Sequence, residues 1–203
     1  MDTKILYAII ILQLIIIIVL FFQDSYLEWF RLRKIKRSGD AGEKRVSDYL
    51  DNLDEVFHIF NGIQGRFDNQ NFEIDHLLLV HQGVILVETK NIRGTIVAKR
   101  NSWCQIKRSE SGKSYERNFR SPINQIDRTA RIFESFLDKN GIRVKLIPVV
   151  VFSVGDVELK LPRQKYPVIH LENLKDVLSE VSRDIPLTTR QLRKLKETIS
   201  ANF

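Results

Sequence analysis

The sequence predicts an α/β fold preceded by one N-terminal transmembrane helix. Three observations predict it. Ile5 to Phe22 is almost wholly apolar, with Gln13 its one strongly polar residue. Glu73–Val80 and Val84–Lys90 read as two apolar strands joined by a tight loop at Gly83, and Leu146–Phe152 is a continuous apolar run of the buried-strand kind. Helix-period apolar stripes lie before and between these strands, and the order helix, strands, helix, strand implies one α/β layer structure.

Composition sets outer limits. A chain of 203 residues suits one modest domain with appendages and can bury a core without staples. Cys104 is the single cysteine, which excludes an intramolecular disulfide and a cysteine-rich zinc site and fits a reducing compartment. The net charge of +7 permits phosphate-rich or anionic-lipid partners and selects neither.

The 18 residues from Ile5 to Phe22 would span about 27 Å as a helix, close to the thickness of a bilayer core. A cleaved signal peptide would want several positive charges before the run and small residues after it. Here Lys4 alone precedes it, and Phe21-Phe22-Gln23-Asp24 closes it, so an uncleaved anchor is expected over residues 1–23. Arg31, Arg33, Lys34, Lys36 and Arg37 follow in a basic stem, residues 24–37, where Tyr26, Trp29 and Phe30 suit the interface belt. The positive-inside rule then places the N-terminus outside the cell membrane and the C-terminal domain in the cytoplasm.

Ser38-Gly39-Asp40-Ala41-Gly42-Glu43 breaks the stem and starts a helix over Ala41–Leu53, with Asp40 as cap and Glu43 three residues later in a capping-box-like pair. Its apolar face carries Val46, Leu50 and Leu53, and stepping back three from Val46 reaches Glu43. Glu43 therefore starts the inward face, either as a cap or as a site residue. Val56–Asn61 reads as a strand and Gly62–Asn71 as a loop. After the central pair, Gly94–Lys99 and Ser102–Lys107 read as short strands extending the sheet, and Glu110–Asn118 as a mobile loop. Ser121 caps a second helix that opens on Pro122, carries Ile126, Ala130, Phe133 and Leu137 as its stripe, and stops at Asn140-Gly141. Gln125 lies beside that stripe. Ser153–Lys165 reads as irregular, Val168–Leu171 as a short strand, and Glu172–Ser182 and Thr189–Asn202 as helices, the last capped by Thr188 or Thr189. Residues 154–203 are expected to pack on the core as a C-terminal strand and helices.

Three charges interrupt the central strands: Asp75, Glu88 and Lys90. Charges inside apolar strands cost free energy unless paired or given a metal. Alternation puts Glu88 and Lys90 on one face and Thr89 on the other. Asp75 depends on register. If Leu79 faces Val84, then Leu77 faces Leu86 and Asp75 faces Glu88. A loop one residue shorter would put Asp75 on the wrong face. Two facing carboxylates favour a cation between them, and Mg²⁺ takes one or two carboxylates together with waters and phosphate oxygens. Lys90, one step along the same face, is placed to hold an attacking water or a developing negative charge. From spacing alone, the charges could equally be a fraying strand end with Asp75 paired to a nearby basic residue.

The ordered motifs carry more than any one of them. Gly39-x-x-Gly42-Glu43 precedes a helix. Glu-Ile-Asp75-His and Gly-Val-Ile-Leu-Val-Glu88-Thr-Lys90-Asn follow, then Gly94, Trp103, and Pro122-x-x-Gln125 opening a helix. This set, covering roughly Ser38 to Phe152, resembles the nuclease-related domain (NERD) family of the PD-(D/E)xK nuclease superfamily. The resemblance implies a restriction-endonuclease-like core of helix, three-strand meander, helix and strand, over residues 38–153. It implies metal-dependent cleavage of nucleic-acid phosphodiesters. Mg²⁺ or Mn²⁺ is the expected ion, and DNA is expected ahead of RNA, a choice that the residues leave open. Asp75, Glu88 and Lys90 become the catalytic core, with Asp75 and Glu88 as metal ligands and Glu43 and Gln125 as accessory residues. One departure is Ser121, where the family often has Asn before the proline; serine caps a helix equally well. The superfamily includes members that bind without cutting. Beside the anchored nuclease, then, stand a catalytically inactive, membrane-tethered nucleic-acid-binding module and an adaptor of the same fold.

Arg117, Arg120, Arg128 and Arg131 gather around the start of the second helix, either as phosphate contacts or as a solvated basic face. His58, His76, His81 and His170 show no ligand spacing, and His76 should face away from Asp75. Trp103 and the phenylalanines suit the core better than a base-stacking platform.

Overall fold

The computed structural model describes residue 13 and residues 32–98, 102–109, 111–180 and 186–203. The chain divides into two compact units, Met1–Asp40 and Ala41–Phe203. In the first, Gln13 and residues 32–40 are helical and exposed. The expected transmembrane segment, residues 5–22, lies outside the described residues apart from Gln13, and so do residues 23–31 of the stem. Among the described residues no helix is long and apolar enough to cross a membrane, so the transmembrane helix finds no support here. Asp40 is itself helical, so the expected cap at Asp40 is not observed.

The second unit is a mixed α/β fold. Residues 41–50 form helix α1. Three antiparallel strands follow: β1 (Val56–Phe67), β2 (Gln70–Val80) and β3 (Gly83–Lys90). Then come β4 (Gly94–Ala98), β5 (Ser102–Arg108), β6 (Ser114–Arg120), helix α2 (Pro122–Lys139) and β7 (Leu146–Phe152). The chain continues through β8 (Val157–Lys160), β9 (Val168–His170), a 3₁₀ turn (Leu171–Asn173), α3 (Leu174–Glu180) and α4 (Thr189–Ser200). The main sheet has the order β1-β2-β3-β7-β9, with β7 parallel to β3 across the α2 crossover. Helix, meander, helix and strand therefore occur in the expected order.

Hydrophobic burial fixes which layers meet. Leu77, Leu79, Val84, Leu86, Val150 and Phe152 pack on one side with Ile126, Phe133 and Leu137 of α2 and with Leu192, Leu195 and Ile199 of α4. Leu78, Val80, Ile85, Val87, Val149 and Val151 pack on the other with Val46 and Leu50 of α1 and Leu174 and Val177 near α3. Alternation along β2 and β3 divides their side chains between the two layers, and both cores are needed because the strands are apolar on both faces.

Three sequence expectations are corrected. Gly62–Asn71 is not a loop: β1 runs on to Phe67 and turns at Asp68-Asn69, both at positive φ, into β2. β4 and β5 do not extend the main sheet. They belong to a second sheet of order β6-β5-β4-β8, and β8 lies within the stretch read as irregular. Glu110–Asn118 is not a loop throughout, because Ser114–Arg120 is strand β6. It is an edge strand, exposed at every position but one, so it carries no buried alternation to reveal it.

The β2–β3 register follows the first of the two alternatives. Leu79 pairs with Val84 and Leu77 with Leu86, around a two-residue turn closed by Val80 and Gly83. Gly83 has φ +150, and a Cβ there would lie 2.5 Å from the Lys145 carbonyl, which already accepts the Val84 N–H. At α2, Ser121 caps by accepting the Asn124 N–H at 3.3 Å.

Gly42 sets how closely α1 approaches the sheet. A Cβ at this position would stand 2.7 Å from Asn91 Cβ and 3.1 Å from Ser153 Oγ, at the ends of β3 and β7. Intrinsic propensity favours almost any residue over glycine inside a helix. Gly42→Val is nevertheless predicted to destabilise the protein by roughly 1–3 kcal/mol through overpacking. Thermal unfolding checks this, and a raised melting temperature would show that propensity outweighs the close approach.

Candidate active site

The site is built where the apolar part of β3 ends. Val84–Val87 are buried, and Glu88, the next residue, is also buried, with 4% exposure. Glu88 points to the α2 side with Leu86. Lys90, two residues on, shares that face. Lys90 Nζ donates to Glu88 Oε1 at 2.5 Å and to Gln125 Oε1 on the first turn of α2 at 3.2 Å. The Ser121 cap and Pro122 set where that turn begins, and so where Gln125 stands.

Asp75 joins the group across the strand pair. The β2–β3 pairing ends at His76 and Val87, and beyond it Asp75 Oδ2 accepts the Thr89 N–H at 2.7 Å. The carboxylate takes the place of the next ladder acceptor, which fixes one oxygen and leaves the other for a ligand. His76 faces the opposite way, where Nδ1 is 2.7 Å from Asn61 Oδ1. Burial lowers its pKa to about 4, so it is a neutral core histidine.

The electrostatics record how closely the carboxylates gather. Burial, then the charge of Glu88, push Asp75 up to about 7, against the opposing Thr89 N–H and Lys90. Burial also raises Glu88, with Lys90 as the main opposing influence, and Glu73 and Glu43 push it further up. Glu43 is half-buried on the same face of α1 as Val46. Its charge acts on the group by raising Glu88.

Glu73 was not among the residues expected at the site. It raises both Asp75 and Glu88, accepts a hydrogen bond from Gln64 Nε2 at 3.0 Å, and lines a groove of about 920 Å³. Its position two residues before Asp75 on one strand is a signal that alternation alone could have read. Gln64, Arg120, Asn124, Gln125 and Arg128 also line this groove. Asp75, Glu88 and Lys90 are not on its wall, so the groove meets the cluster through Glu73 and Gln125.

The four arginines part company. Arg120 and Arg128 border the groove, and Arg128 Nη1 donates to the Asn71 carbonyl at 3.0 Å. Arg131 is 3.1 Å from Asp127, whose carboxylate also takes Lys165 and the Tyr166 hydroxyl. Arg117 stands apart on β6.

Among the described residues no three His, Cys, Asp or Glu side chains gather closely enough to hold a metal ion. Two carboxylates do meet the needs of an ion that draws its remaining ligands from water and substrate oxygens. The donor set at Asp75 and Glu88 is all oxygen, with no thiolate or imidazole, and that fits Mg²⁺ or Mn²⁺.

A profile described as the nuclease-related domain matches residues 38–153, more than half of the chain. The chain belongs to the nuclease-related domain family. The matched residues include Glu43, Glu73, Asp75, Glu88, Lys90, Gln125 and all four arginines. A Bacillus anthracis protein described as uncharacterized is 24% identical over 174 residues, which are 81% of this chain and 76% of that protein. No solved structure matches the chain.

The raised Asp75 predicts a signed pH effect in metal-free protein. Below about pH 4 the carboxyl is protonated in folded and unfolded chains alike. Between its ordinary 3.8 and about 7 the unfolded chain ionises first, so stability falls as pH rises, and the full cost stays above that range. Asp75→Asn should therefore melt several degrees higher than wild type at pH 8 with chelator present, and the difference should vanish near pH 4. A constant difference across this range would contradict the assigned burial of Asp75.

Proposed function

We propose that this nuclease-related domain protein is a metal-dependent nuclease that hydrolyses phosphodiesters of nucleic acid, with DNA as substrate. The observation that carries this is the single cluster made by Asp75, Glu88, Lys90 and Gln125 beside a groove bordered by Arg120 and Arg128. Asp75 and Glu88 would hold Mg²⁺ or Mn²⁺. A bound divalent ion supplies Lewis-acid stabilisation of phosphate charge.

The other steps belong to the chain's own residues. An ammonium has three donors. Lys90 directs two of them to Glu88 and Gln125, and the third can hold an attacking water or a non-bridging phosphate oxygen. Glu88 and Gln125 thereby set the direction of that third donor. The second oxygen of Asp75, not used by the Thr89 N–H, would be the one that holds the cation. Glu43 and Glu73 add negative potential, which strengthens the hold on a cation at this position. Arg120 and Arg128 offer the flanking backbone charge-assisted hydrogen bonds, which position it without reading sequence. Arg117 and Arg131 fall outside the groove. We further propose that residues 5–22 anchor the chain in the cell membrane with the C-terminal domain in the cytoplasm. This rests on the apolar run and the basic stem in the sequence.

The full chain, incubated with DNA and Mg²⁺ or Mn²⁺, should cleave it. Asp75→Ala and Lys90→Ala should each lower the rate by at least about 100-fold, and chelation should abolish it. Cleavage at equal rates by wild type and both variants would mark a contaminant. Binding of DNA with no cleavage under any divalent ion would favour the non-catalytic binding module.

A further inference from the structure

The β5–β6 hairpin is used neither by the core nor by the carboxylate cluster at its outer end. Its inner end is anchored. Trp103 stacks on Phe152 with ring centroids 6.5 Å apart and pairs across the hairpin with Phe119. Phe152 is the ladder partner of Lys90. The same hairpin face then continues outward through the pair Gln105–Arg117 to the pair Lys107–Tyr115. From Phe119 to Tyr115 it extends about 13 Å. Lys107, Tyr115 and Arg117 are exposed, and Tyr115 is 59% so. Glu116 lies on the other face, where its carboxylate is 3.8 Å from Cys104 Sγ.

Charge on an edge strand guards against pairing with another chain. That accounts for Arg117 on the edge strand β6, but not for Tyr115 on the same strand, a β-favouring aromatic that a guarded edge would exclude. A ring between cations, on a face that leads from a phosphodiester site, is the pattern of single-strand binding: bases stack on the aromatic and the backbone meets the cations.

We propose that the β5–β6 hairpin is an arm that binds single-stranded nucleic acid, with Tyr115 stacking on a base and Arg117 and Lys107 contacting the backbone. The choice of nucleic acid as partner rests on the nuclease reading above.

The test reads binding alone. The full chain carrying Lys90→Ala, with chelator present, is titrated into fluorescein-labelled oligothymidylate and followed by anisotropy. Adding Tyr115→Ala should weaken binding about tenfold, and Tyr115→Phe should restore it. Arg117→Ala should reduce the slope of log affinity against log salt by about 0.7. Thermal melts verify that these exposed substitutions leave the fold intact. Undiminished affinity in both alanine variants would overturn the arm, as would no binding by the parent. So would equal weakening by Lys194→Ala on α4, which would mark bulk charge. Cleavage by wild type with unchanged binding in the arm variants would overturn the arm and leave the nuclease reading standing. Arm-dependent binding with no cleavage by wild type would do the reverse.

Discussion

Glu88 follows four buried apolar residues on the central strand and is itself buried, so its charge has almost no water to meet it. A carboxylate in that position must be protonated, paired or bound to a cation. Lys90 supplies a pair, but Asp75 then brings a second carboxylate, and Glu73 and Glu43 bring further negative field. One ammonium does not neutralise that group. Burial first, and then the neighbouring carboxylates, raise Asp75 and Glu88. A divalent cation is the economical answer to that excess, and natural proteins hold such imbalance chiefly at functional sites.

The fold supplies the conditions for this arrangement. Apolar residues on both faces of β2 and β3 require a layer on each side, so α1 and α2 must both cover the sheet. That requirement brings Glu43 from one layer and Gln125 from the other toward the same strand end. Gly42 permits the closeness of α1, and the Ser121 cap fixes the start of α2. The parallel β3–β7 pairing sets Lys90, at the polar end of β3, beside Phe152 at the buried end of β7.

Much of this was legible in the residues. The period-2 pattern, with the requirement that Asp75 meet Glu88, selected the Leu79–Val84 register that the structure shows. The continuous apolar run of Leu146–Phe152 and the Ser-Pro start of α2 gave their bounds directly. β6 was hidden because an exposed edge strand needs no apolar alternation, and β4 and β5 were misassigned because sheet membership is set by distant partners such as β8. The long β1–β2 hairpin was hidden by glycines and polar residues that read as a loop. Glu73 could have been read from alternation, which puts it on Asp75's face, but an exposed glutamate on a strand reads first as a solvated charge. The division of the four arginines also depended on tertiary structure: Arg131 is held by Asp127, and Arg128 borders the groove.

The central claim is that Asp75 and Glu88 together form a cation site. Titrating Mn²⁺ into the full chain by calorimetry, without nucleic acid, tests it most directly. Saturable binding should be lost in both Asp75→Ala and Glu88→Ala and kept in Arg117→Ala. Binding of unchanged strength and stoichiometry in Asp75→Ala and Glu88→Ala would contradict it.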